Sequence, residues 1–162
     1  MKARLVVCDT SPIRVLDHLT LLELLEQFFT EVLIPPAIAR ELEASEGTFR
    51  AVRLTAIPNC RVEAPKDLAG IKELEAEIHT GEAEALVLAR ELSAELLIDE
   101  RAGRIVARRL GIRHTGVIGL LVRAKQEGMI SQVVPLILQA RDEMNFYVSE
   151  AVIEDVRRLA DE

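Results

Sequence analysis

Residues 81–112 read GEAEALVLARELSAELLIDERAGRIVARRLGI, and the order of elements inside this stretch decides the fold. After the candidate cap Thr80-Gly81, apolar residues recur at helical spacing as far as Leu92. Residues 95–98 then form a short apolar run of the kind found in a strand covered on both faces. Asp99 and Glu100 close that strand. An Arg-rich helix follows to Leu110, with Gly111 as its stop.

The same alternation extends outward in both directions. Residues 4–8 form a first strand ended by Asp9, and Thr10-Ser11-Pro12 offers a hydroxyl cap for a Leu-rich helix reaching about Phe29. Residues 32–34 form a second strand, and Pro35-Pro36 opens a helix with Ile38 and Leu42 on one face. Between 45 and 80 the pattern predicts a short helix around 48–55, an edge strand near 61–63 and a helix after Pro65. A further strand is expected at 112–115, then helices near 116–127, 131–142 and 149–160, the last capped by Ser149. Strands alternating with helices indicate βαβ units, so the expected class is α/β, a mostly parallel sheet with helices on both sides, in a single domain over 1–162.

Composition removes several function classes. With 162 residues, 49% apolar and 29% charged, the chain has the make-up of a globular protein and not of a disordered or fibrous one. Aromatics are 3%, which leaves few platforms for stacking exposed bases. No apolar run approaches the roughly 20 residues needed to span a bilayer, and the apolar stretch before Asp9 is too short for a signal peptide. No membrane partner and a cytoplasmic location are therefore expected. Cys8 and Cys60 show no metal-ligand spacing and read as free thiols. The formal charge is −7, yet residues 101–113 hold five Arg and no acid, so basic charge is concentrated there.

In a sheet of this kind strand C-termini and helix N-termini gather along one edge, where ligands bind. Asp9 and Asp99 each follow a strand, and on neighbouring strands their carboxylates would lie roughly 5 to 10 Å apart. Glu82 and Glu84 sit near the start of a helix that reaches the same edge, and Glu41 lies about 7 to 8 Å into its own helix. Carboxylates gathered in one cleft repel one another unless a cation compensates. All-oxygen ligation suits Mg²⁺ or Mn²⁺, metals that serve phosphate chemistry. Arg101, Arg104 and Arg108 follow i, i+3, i+7 spacing and offer one face to backbone phosphates, while Ile105, Val106 and Leu110 are expected to face the core. Each feature has a plainer reading as a turn residue, a helix-dipole partner or a solvated face; their convergence on one edge favours a site. His18, His79 and His114 form no triad or ligand spacing and read as structural or exposed.

Four segments together resemble PIN-domain proteins: VVCDTSPI at 6–13, VLIPPAIARELE at 32–43, the stretch at 81–112, and TGVIGLLVRAKQEGMI at 115–130. The chain looks like the branch of that family related to VapC-type toxins of toxin–antitoxin pairs. The resemblance implies a three-layer α/β/α fold with four or five parallel strands, and an acidic pocket that binds Mg²⁺ or Mn²⁺ for RNA cleavage. Asp9, Glu41, Glu84 and Asp99 match the family's acids, and Thr10 with Ser11 matches the hydroxyl beside the first. Glu82 competes with Glu84, and Glu100 with Asp99. The implied partners are an RNA substrate, a cognate antitoxin protein and a second copy of the chain. A PIN-fold module without catalysis is the alternative. A receiver-type or phosphate-loop domain is disfavoured, because no phosphate loop exists and only Lys2, Lys66, Lys72 and Lys125 are available.

Overall fold

The residues before Asp9 form β1 (Leu5–Cys8), whose Val6, Val7 and Cys8 are wholly buried. A run apolar on both faces needs cover on both sides, and β1 has it as the middle strand of the sheet. In the computed structural model, which describes residues 4–45, 47 and 49–162, the other strands are β2 (Glu31–Ile34), β3 (Cys60–Val62), β4 (Glu95–Leu97) and β5 (His114–Thr115). Among the described residues they form one sheet in the order β3-β2-β1-β4-β5, with every pairing parallel. The chain builds from β1 towards β3 on one side, then crosses to β4 on the other. The strand order therefore reverses between β1 and β4, which opens a crevice at their C-terminal ends.

Helices complete a three-layer α/β/α arrangement. Those before β5 are α1 (Thr10–His18), α2 (Leu24–Phe28), α3 (Pro36–Glu43), α4 (Leu68–Leu74), α5 (Thr80–Leu92) and α6 (Arg101–Arg109). Every residue of α5 from Gly81 to Ala89 is buried, so this helix has no solvent face along most of its length.

The chain divides into two compact units, Met1–Thr115 and Gly116–Glu162. The second consists of α7 (Val117–Gln126), α8 (Val134–Met144) and α9 (Glu150–Ala160), with Ser149 capping α9 through Val152 as expected. Its Glu162 carboxylate accepts the N–H groups of Val133 (2.7 Å) and Val134 (3.0 Å) and the Lys125 ammonium (3.0 Å). These bonds satisfy two N–H groups at the start of α8 that the helix itself leaves unpaired.

Several local expectations need correction. The helix expected over 10–29 is two helices, because the chain turns at Thr20, in the left-handed region at φ 58°. Thr20 N–H bonds Asp17 O and Leu21 N–H bonds Leu16 O, a helix-ending pattern that usually uses Gly, so no Gly marks it in the sequence. The helix expected around 48–55 is a single 3-10 turn at Leu54–Ala56; residue 48 itself, like Lys2, lies outside the described residues. Thr10 and Thr80 are first helical residues and not caps, which frees both hydroxyls for other partners. Ile105, expected in the core, is 50% exposed.

Candidate active site

Asp9 is pinned where β1 ends. Its N–H extends the ladder to Leu97 O at 2.9 Å, so the residue sits at the rim of the β1/β4 crevice with 4% of its surface exposed. Burial pushes its carboxyl up to about 7, the Thr10 N–H pulls back, and Glu82, Glu41 and Glu100 push it up further. Glu100 after β4, Glu82 in the first turn of α5 and Glu41 in the last turn of α3 thus all act on the acid at the end of β1. Glu82, 7% exposed, is likewise raised, first by burial and then by Glu100 and Glu41. His79, which caps α5 one turn before Glu82, acts in the opposite sense and lowers it.

Glu41 comes from the last turn of α3 and accepts the Thr10 hydroxyl through Oε2. Its other oxygen, Oε1, lies 2.9 Å from where a Cβ on Gly81 would stand. Gly103 plays a similar part for Glu82, whose Oε2 would be 3.3 Å from a Cβ there. Glycine at both positions lets a carboxylate approach a helix backbone closely.

Glu84 is buried but engaged elsewhere: its Oε1 accepts the N–H of Ala37, at 3.4 Å, in the unpaired first turn of α3. Within the α5 pair, Glu82 is the one whose charge raises the Asp9 carboxyl. After β4, Glu100 is among the acids that raise Asp9, and Asp99 is half-buried beside it. Ser11 is half-buried at the start of α1.

A family model described as a PIN domain matches residues 5–162. The chain belongs to the PIN-domain family. No curated protein matches it. The PIN domain is a nuclease-type fold, so hydrolysis of a nucleic acid is the activity it implies. Among the described residues no helix is long and apolar enough to cross a membrane.

The donor set of this PIN domain fits a hard divalent cation by its chemistry. Asp9, Glu41, Glu82 and Glu100 are all carboxylates with a hydroxyl beside them, and the repulsion that raises Asp9 and Glu82 is the deficit that a cation corrects. Among the described residues, however, no three His, Cys, Asp or Glu side chains stand in position to hold one ion together.

Next to the acids lies α6. Arg101 and Arg108 are exposed and Arg104 is half-buried, and among the described residues none of the three forms an ion pair. Arg109 differs, because Glu77 holds it in a two-point bond of 2.9 and 2.6 Å. Ile105 stands outward among the three arginines. His79, read from the sequence as structural or exposed, is exposed and stands one helical turn before Glu82. Arg14, buried in α1, had no signal in the sequence and also bears on the site.

Proposed function

We propose that this PIN domain is a metal-dependent endoribonuclease, a phosphodiester hydrolase, and that it is the toxin component of a toxin–antitoxin pair. The observation that carries the nuclease reading is Asp9, whose carboxyl is raised to about 7 where burial and three other acids meet at the β1/β4 crevice. That is a site in want of a cation, next to an arginine face free to take phosphates. The choice of RNA and the toxin role rest on the resemblance of four segments to VapC-type proteins.

Asp9, Glu41 and Glu82 would hold Mg²⁺ or Mn²⁺, with Glu100 or Asp99 completing the set. A bound ion would supply neutralisation of the phosphate charge and acidification of water. The remaining work belongs to the chain. Arg101 and Arg104 bind the strand through its phosphates, and Arg108 extends that track by one turn. The Thr10 hydroxyl orients the Glu41 carboxylate. Glu84 keeps the start of α3 in place through the Ala37 N–H.

Cleavage of a labelled single-stranded RNA, measured in Mn²⁺, in Mg²⁺ and in EDTA, tests the reading. Cleavage that stops in EDTA and in Asp9→Asn is the expected outcome; RNA binding without cleavage would favour a non-enzymatic PIN-fold module. The toxin role predicts growth arrest on expression, relieved by co-expressing a small protein from the adjacent reading frame.

A further inference from the structure

Arg14 is 7% exposed, yet among the described residues no carboxylate pairs with it. Its guanidinium donates instead to three backbone carbonyls, Glu41 O (2.7 Å), Ala44 O (3.2 Å) and Arg50 O (2.9 Å). The ring of Phe49 lies under it, 5.6 Å from centroid to guanidinium carbon. Two of these carbonyls belong to the end of α3, which has no left-handed capping residue, since Ala44 is extended at φ −91° and ψ 138°. A helix end leaves carbonyls unpaired and carries partial negative charge, and a guanidinium answers both needs. Leu42 O is taken separately, by the Val52 N–H at 2.7 Å.

The residue whose carbonyl Arg14 grips most closely is Glu41, and α1 reaches that same residue a second time through Thr10. One helix, beginning directly after Asp9, therefore holds both the backbone and the side chain of Glu41. A third wall is Gly81 on α5, where a Cβ would stand 2.9 Å from Glu41 Oε1 and 3.3 Å from Ile38 Cγ1.

We propose that Arg14 and Gly81 are positioning residues for Glu41: Arg14 ties the last turn of α3 to the helix that follows Asp9, and Gly81 leaves the space into which the Glu41 carboxylate fits. The proposal rests on the metal-dependent reading above. It assigns a function to a buried cation whose plainer role would be to stabilise a helix end.

The two roles separate in a paired experiment with Arg14→Lys and Gly81→Ala. Lysine keeps the charge but cannot reach three carbonyls from a planar fork. Alanine in place of glycine favours a helix but presses on Ile38, so a purely structural role for Gly81 predicts a change in melting temperature alone, of either sign, with unchanged function. Three quantities are measured: melting temperature in EDTA, the Mn²⁺ concentration giving half the maximal thermal shift, and kcat and KM for RNA cleavage. Positioning predicts that both variants need roughly tenfold more Mn²⁺ and lose roughly tenfold or more in kcat, with KM little changed, on the scale seen when residues orienting metal ligands are removed. Gly81→Ala should do so at temperatures where the variant is fully folded, whichever way its melting temperature moves. An unchanged Mn²⁺ midpoint and kcat in Gly81→Ala, or an Arg14→Lys variant that loses melting temperature alone, overturns the proposal. A wild type that responds to Mn²⁺ but cleaves nothing sinks only the nuclease reading, and the Mn²⁺ midpoints then decide the cradle. A wild type without any Mn²⁺ response overturns both.

Discussion

Two carboxylate-centred regions of this protein are built on opposite principles. At the β1/β4 crevice Asp9 is buried among Glu82, Glu41 and Glu100, and its carboxyl rises to about 7. In the helical unit Glu162 is surrounded by donors. Burial tends to raise it, but the Val133 N–H, the Lys125 ammonium and the Val134 N–H together hold it below the ordinary range. Both groups are largely removed from solvent, at 4% for Asp9 and 9% for the Glu162 side chain. Burial is thus shared, and the partners decide whether a carboxylate strains the fold or supports it. Strain of this kind, retained at one place in a nuclease-type fold, is the physical ground for the site proposed here.

The largest effect should come from Asp9→Asn. Cleavage should fall by orders of magnitude, because the charge proposed to hold the metal is removed with little change of shape. The same variant should be more stable than wild type in EDTA at pH 8. A carboxyl raised from 3.8 to about 7 makes the folded state pay an ionisation penalty that grows as pH rises through that window. At about 1.4 kcal/mol per unit the penalty reaches up to about 4 kcal/mol, and Asn abolishes it. Urea denaturation of both proteins from pH 4 to pH 8 measures it; parallel curves would show that Asp9 is not strained.

Next in size is the division of labour on α5. Glu82→Gln should cut cleavage roughly 10- to 100-fold, whereas Glu84→Gln, which can still accept the Ala37 N–H, should stay close to wild type. Equal losses in steady-state assays would show that both glutamates serve the crevice.

Glu162→Gln tests the opposite region, with the opposite sign. A carboxyl lowered in the folded state contributes stability that is present above its unfolded value of 4.5 and is lost as pH falls through the folded value. The variant should lose about 1 to 3 kcal/mol at pH 7, the scale of hydrogen bonds to a charged group. It should also show a smaller decline than wild type when denatured between pH 5 and pH 3, with cleavage at pH 7 unaffected at temperatures where it is folded.

The smallest effect is electrostatic. Arg101→Ala and Arg104→Ala should each reduce the logarithmic salt dependence of RNA binding by about 0.7. Arg109→Ala should leave it nearly unchanged, since Glu77 already engages that guanidinium. Fluorescence anisotropy across a salt series reads all three, and equal slopes would return α6 to an ordinary solvated face.

The parts of the fold legible in the sequence are those that depend on neighbours along the chain. Apolar runs ending in Asp9 and Asp99, separated by helices, specify parallel strands whose C-terminal ends share an edge, because strand length and helix spacing are local patterns. The expectation that acids would gather along that edge came from topology alone. The break at Thr20 escaped because its backbone takes a shape that Gly would have announced. Which acids act on Asp9 depends instead on packing between elements. Glu82 and Glu84 are two residues apart, so they project about 200° from each other around the helix. Their direction is set by how α5 is rotated against its neighbours. In a surface helix a polar stripe reveals that rotation, but α5 is buried from Gly81 to Ala89 and has no such stripe. Arg14 was hidden for a related reason: its partners are the carbonyls of Glu41, Ala44 and Arg50, and a backbone carbonyl leaves no signature in the sequence.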